Sequence, residues 1–435
     1  MSGTTQPYPF EPFFRLLNAD ILNSIFLGQT PVGGLTTTGA VNIGGEVVVT
    51  GGVTNSGPTS ATEYKLSGSP FISSPTSTSL GPTTLLGLGA GKGLGWAGGG
   101  AQGTVAIGFQ AGGGAGPGMT GNENTMIGWN AGGNVTTGSF CTYIGLNAGG
   151  LTTTDNNNTM LGNDAFRNAT GAGNIGIGVP VMRNGTYTSC VAIGGMTQNG
   201  NDAATSSGNI VIGIGALSGT AMTTSNNNVI IGTNAAATIT SASSNIIIGT
   251  NAGNTITTGI ANTFVGHQTG QTTTTQQNCT FIGNVAGKSL GGQSITAIGS
   301  GALGGASGGA NSTLAVGANT GNKTTGANNT LLGTGVASVT LTSGTGNIFI
   351  GCSTTLDAGA AGESHTLRIG DHATNVIVST AINTATPATQ FNGTFGFNVA
   401  PIAKPTVTGS KGANAALASL LTALSNYGLI TDSSS

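Results

Sequence analysis

From Thr104 to Gly370 short apolar triplets alternate with longer polar stretches, and each triplet ends on a glycine. NTMIGWNAGG (Asn124–Gly133) is a clear copy of the phrase. It returns 16 times, closing on Gly108, Gly128, Gly145, Gly162, Gly178, Gly194, Gly213, Gly232, Gly249, Gly266, Gly283, Gly299, Gly317, Gly333, Gly351 and Gly370, at intervals of 16 to 20 residues. A strand-like phrase at so short a period predicts a solenoid built one β-coil at a time. One residue before the glycine stands Ile, Leu or Val in all 16 copies; three before it stands Val, Thr, Ile or Leu. Residues two apart on a strand share a face, so these two rows are expected to point into the coil. The residue between them is then expected to face outward. It is Met126, Tyr143, Met160, Val211, Ile230, Ile247, Phe264, Phe281, Leu331 and Phe349, with Ala in four more copies and only Gly176 and Arg368 as interruptions. Soluble monomers avoid such an exposed apolar column. The alternation therefore predicts burial of these side chains against sister chains, with a homotrimer as the assembly.

Two further rows support the coil. Three residues after each glycine the side chain is Ala in ten copies, Thr in four and Val in two, as a tight corner followed by a second wall requires. Four residues before it Asn occurs in nine copies, among them Asn124, Asn158, Asn209, Asn228 and Asn245, and stacked Asn side chains can bond one another across coils. Sixteen coils at about 4.8 Å each would run roughly 75 Å.

The flanks read differently. Residues 1–39 hold YPFEPFFRLLNADILNSIFLG (8–28), in which Phe13, Phe14, Leu17, Ile21 and Ile25 recur near helical spacing after Pro12, with Gly28 as a stop. With Phe10 they form a helical segment that either caps the array or anchors the chain on a larger assembly. Residues 40–103 carry the strand-like runs VNIGGEVVV and EYKL and then a Ser/Thr/Pro/Gly linker, in which Thr84–Gly87 can be read as a degenerate first coil. The array fills 104–375. In 376–435, Leu417, Leu420, Leu421 and Leu424 make a one-sided stripe on a helix, with Asn414 near its start and Gly428 past its end. Three such helices could close a trimer, and a lone packing helix is the alternative.

Composition narrows the function. The chain has 435 residues, 80 of them Gly, and only 5% are charged, with a formal net charge of −2. No basic face is available for nucleic acid. There is no basic leader, and no uncharged apolar run approaches the roughly 20 residues that span a bilayer. Cys141, Cys190 and Cys279 share one phase of the repeat, four residues before the glycine, and Cys352 stands outside it. They read as small buried residues or as contacts between copies around an axis. His267, His365 and His372 match no zinc spacing. The sparse acids Glu123, Asp155, Asp164, Asp202, Asp357, Glu363 and Asp371 fall on widely separated coils, where one chain cannot assemble a glycosidase pair. Asp155–Asn158 lacks the alternating ligands of a calcium loop. No catalytic residue, cofactor or metal site is therefore expected. Thr238, Thr240, Thr255, Thr257, Thr272 and Thr274 repeat at intervals of 17 and would stack as flat ranks.

NTMIGWNAGG, NNVIIGTNA (Asn227–Ala235) and SNIIIGTNAG (Ser244–Gly253) resemble the head repeats of trimeric autotransporter adhesins and the related shafts of some phage fibres. The resemblance covers about 270 residues and implies a left-handed parallel β-roll that trimerises. The repeat here is longer than the adhesin one, and the C-terminus ends hydrophilically in TDSSS where an adhesin carries a membrane anchor. Residues Phe391–Ser435 resemble a module at the ends of many phage structural proteins. Together these imply an all-β protein, a left-handed parallel β-roll or β-solenoid shaft with short helical terminal segments, homotrimeric, in a bacteriophage virion assembled in the host cytoplasm. A tail fibre that binds a host surface glycan or protein is favoured. Its N-terminal end would meet other virion proteins, with no nucleic acid and no membrane insertion. A capsid head fibre or decoration protein is the alternative, and a polysaccharide-degrading tailspike or bacterial surface adhesin a further one.

Overall fold

The computed structural model describes residues 62–66, 69–74, 83–91, 101–113, 119–198, 205–219, most of 223–370, and the short runs 376–381, 406–407, 414–426 and 430–432. The chain divides into two compact units, Met1–Gly57 and Pro58–Ser435. The first lies outside the described residues, and with it the expected helix carrying Phe10, Phe13, Phe14, Leu17, Ile21 and Ile25.

Among its described residues the second unit is a parallel β-solenoid, all-β apart from one short helix, Ala415–Asn426. Its main wall is a 20-stranded sheet. Each repeat gives that wall one strand, mostly of three residues, and the strands stack in register: Ile246, Ile247 and Ile248 sit on Thr263, Phe264 and Val265, and these on Thr280, Phe281 and Ile282. The EYKL run forms the strand Thr62–Leu66. Thr84–Leu86 pairs in parallel with Val105–Ile107 and makes the first coil. At the two ends the pairing reverses. Ser69–Ser74 lies antiparallel on Thr84–Leu86, and Val376–Ala381 lies antiparallel on Thr366–Gly370.

From Asn168 a second wall appears. Asn168–Thr170, Asn184–Thr188, Thr205–Ser207 and Thr224–Asn226 form a four-stranded parallel sheet. Single bridges carry it on through Ser243, Ile260 and Gln277.

The face assignment read from the alternation is inverted. Met126, Tyr143, Met160, Val211, Ile230, Ile247, Phe264, Phe281, Leu331 and Phe349 are all fully buried inside their own chain, so none can form a contact between copies. They are the core. The rows on either side of them, expected inside, are half-buried or exposed. The reason is geometric. A three-residue strand puts one side chain on one face and two on the other, and the narrow interior, faced by alanines such as Ala131 and Ala252, accepts the single one.

Packing along the core is compensated by size. Phe264 and Phe281 stack with parallel rings, centroids 4.8 Å apart. Four residues after the closing glycine those coils carry Gly270 and Gly287, where an added Cβ would stand 2.9 Å and 2.6 Å from the same rings. Where the strand side chain is small, as at Gly176 and Ala192, the opposite wall supplies Phe166, Val181, Met182 and Tyr187, all fully buried. The column ends on Arg368, which lies over the Phe349 ring at 5.7 Å and forms a double hydrogen bond with Glu363. A guanidinium paired through its Nε and one terminal nitrogen with a carboxylate closes an apolar column without leaving a bare charge.

The closing glycines turn the corners. At Gly249 φ is +138°, and a Cβ there would meet the carbonyl oxygen of Gly266 at 2.2 Å, a clash with backbone rather than with a movable side chain. Other corner positions are left-handed without glycine, including Asn130, Asn147, Asn234 and Asn251, the residue type that tolerates that conformation best.

Candidate functional site

The outward strand face carries a patterned surface along the described coils. The residue before each closing glycine is aliphatic throughout, and the one three before it adds Ile, Val or Leu in about half of the coils. Both rows are aliphatic on five successive strands: Ile175–Ile177, Val191–Ile193, Ile210–Ile212, Val229–Ile231 and Ile246–Ile248. Ile175, Ile177, Ile210 and Ile246 are 37–43% exposed, and Leu161, Ile282, Ile298 and Ile350 extend the stripe to either side. In-register stacking makes the stripe continuous.

The Asn row faces inward and is a structural ladder, as its spacing predicted. Asn228, Asn245 and Asn262 are buried. The Asn245 side chain donates to Asn228 Oδ1 at 3.0 Å and to the Gly259 carbonyl at 2.9 Å, while its own Oδ1 accepts from the Asn262 backbone N–H at 3.0 Å. One amide side chain thus satisfies three coils. Cys141, Cys190 and Cys279 replace Asn in this row. They are buried within their own coils, which removes them from any contact between copies. Their thiols donate to backbone carbonyls, as Cys141 does to Asp155 at 3.2 Å, and burial pushes the Cys141 and Cys279 thiols above their ordinary range.

Among the described residues, no group of three or more His, Cys, Asp and Glu side chains gathers as metal ligands do. His267 meets Asn284 at 3.4 Å, and His372 lies outside the described residues. Asp164 pairs with Arg167 at 3.5 Å and Arg183 at 3.9 Å. Asp155 accepts from the Gly171 N–H at 2.8 Å while its other carboxylate oxygen is buried without a partner, and desolvation raises its pKa. Asp357 caps a corner: its oxygens accept from the N–H groups of Val339, Thr340, Leu341 and Ala358 at 2.6–2.9 Å. The Thr ranks do stack, but the hydroxyls of Thr238, Thr255 and Thr272 donate to carbonyls of the following coil at 3.0 Å, so they knit coils together.

In the C-terminal helix, Asn414 Oδ1 accepts from the Ala416 and Leu417 N–H groups at 3.1 Å, the cap its position predicted. Leu421 is buried, Leu424 half-buried, and Leu417 and Leu420 are exposed.

A row that the alternation did not single out lies directly after the closing glycine. In the first coils it reads Leu88, Phe109, Trp129 and Leu146, all exposed. The backbone fixes these residues in one column. The residue that follows each donates its N–H to the carbonyl of the column residue one coil earlier: Gln110 to Leu88, Asn130 to Phe109, Asn147 to Trp129, Asp164 to Leu146, at 2.8–3.0 Å. The signal in the sequence was the large residue after glycine in four successive copies, against Thr233, Thr250 and Ser300 later on.

No family model matches the chain, and no curated protein or solved structure matches it either.

Proposed function

We propose that this chain is the structural shaft of a bacteriophage virion fibre that assembles as a homotrimer, acting by binding and display and not by catalysis. The observation that supports it is the outward aliphatic stripe. An isolated solenoid would leave that stripe in water along many successive coils, whereas copies packed side by side would bury it, each coil against its counterpart at the same spacing. The stripe takes over the role first read into Met126, Tyr143 and their row. Leu417, Leu420 and Leu424 are a second proposed contact, closing three chains at the C-terminal end, while Leu421 packs within its own chain. The wider setting rests on the resemblance of the repeats and of the last 45 residues to phage fibre parts. In it the N-terminal unit would bind other virion proteins and the shaft would display a surface to the host, with tail attachment favoured over the capsid.

Light scattering of the purified full chain tests the assembly. About three times the 42.1 kDa of one chain is expected, and a mass near 42.1 kDa would falsify it. Immunogold labelling of phage particles tests the setting, through label on fibres projecting from the virion.

A further inference from the structure

We infer that Phe109 and Trp129, with their neighbours in the column after the closing glycines, form a binding site for a neutral oligosaccharide. Trp129 is 60% exposed and Phe109 40%, and their rings meet edge to face, centroids 5.5 Å apart at 77°. Each ring fixes the other, so the platform is ordered before a ligand arrives. Leu88 and Leu146 extend it by one coil on either side. Beside it runs a polar rank, in which the Asn130 side chain donates to Asn147 Oδ1 and Asn147 donates to Asp164 Oδ1, each at 3.2 Å.

A pyranose presents just this combination of surfaces. Its axial C–H groups make an apolar face that lies flat on an aromatic ring, while its equatorial hydroxyls need partners that both donate and accept, which carboxamides do. Charge then selects among sugars. The column and the Asn130–Asn147 rank hold no cation to pair with a uronate, sulfate or sialate, and the Arg167 and Arg183 guanidiniums at the end of the rank are already paired with Asp164, which leaves uncharged hexoses and N-acetylhexosamines.

The size of the patch argues against a second copy of the chain as its occupant. Stable protein interfaces bury about 800 Å² on each partner, whereas an aromatic side chain offers about 150–250 Å² when wholly covered. Four side chains, already 40–60% covered, fall well short of an interface but suit a few sugar rings. The patch is also local. In the same column Asn163 ends the run, and Val179 and Ile214 recur singly, with Gly195 between them. Packing of copies, by contrast, would follow the stripe along the whole sheet. The inference is independent of whether that stripe joins copies.

Calorimetric titration of the full chain with cellohexaose, maltohexaose, chitohexaose and an oligouronate tests it. At least one neutral hexaose is expected to bind. Trp129→Ala is expected to weaken that binding at least about tenfold, as loss of a central aromatic anchor does, with circular dichroism unchanged because the side chain is exposed. Ile214→Ala, in the same column on a later coil, is expected to bind as the parent does. The inference is overturned if no neutral hexaose binds, if the oligouronate alone binds, or if Trp129→Ala binds like the parent. A fall in the mass of the Trp129→Ala protein would also overturn it, by assigning the column to a contact between copies.

Discussion

At the scale of single residues, stability depends on polar groups that serve several coils at once. Asn245 bridges to the coils before and after it and to a loop carbonyl, all out of water. Replacing it with Ala leaves the Asn262 N–H and the Gly259 carbonyl without partners, and about 1–3 kcal/mol of stability is expected to be lost in denaturant unfolding. Asp155 works the other way. Its buried oxygen has no partner, and desolvation raises its pKa. A carboxyl whose folded pKa is raised favours the fold while protonated, so its contribution is present at acid pH and falls as pH rises through the folded value. Asp155→Asn keeps an oxygen for the Gly171 N–H and removes the titration. Its melting temperature, compared with the parent's from pH 3 to pH 7, is expected to gain steadily with rising pH; a constant difference would count against this assignment.

At the scale of the element, a strand of three residues is the unit. Its period and its closing glycine were legible in the sequence, and so was the Asn ladder, because each is a residue type repeated at a fixed offset. Which face points inward is not legible in the alternation. Alternation alone is symmetric between the two faces, and the rule that pairs of like residues are internal fails when the interior holds one side chain per strand. Composition carried the answer: Thr occupies the row three before glycine at Thr125, Thr142, Thr159 and Thr263, and never the middle row. The match between Phe281 and Gly287 was also present but invisible to a row-by-row reading, since it couples positions on opposite walls. Corrected, the faces give a sharper test of assembly. Ile210 and Ile246 are each 43% exposed within one chain, so changing both to Asp is expected to preserve the circular dichroism of the solenoid while lowering its mass towards one chain. Unfolding at normal expression temperature would instead place them in the core.

At the scale of the whole solenoid, every coil contacts its neighbours in the same register, so stability is close to a sum of coil and interface terms. Removing residues 233–249 deletes one repeat from closing glycine to closing glycine and brings Asn228 onto Asn262, like onto like. The shortened chain is expected to fold, with cooperative unfolding and strand content reduced in proportion. A deletion of the same length that begins mid-strand is expected to misfold, because the core and outward rows would exchange places.

The reversed strands at the two ends of the wall give this modularity a further meaning. A parallel stack with bare ends could accept another molecule's coil and grow without limit. Here the antiparallel pair Thr62–Leu66 and Ser69–Ser74 covers the first coil and Val376–Ala381 lies antiparallel on the last, so each end of the stack is covered by a segment that is not a coil of this type. The length of the stack is therefore set by how many copies of the phrase the chain contains. Gain or loss of a whole repeat would change the stack in steps of about 4.8 Å and leave the pairings at both ends untouched.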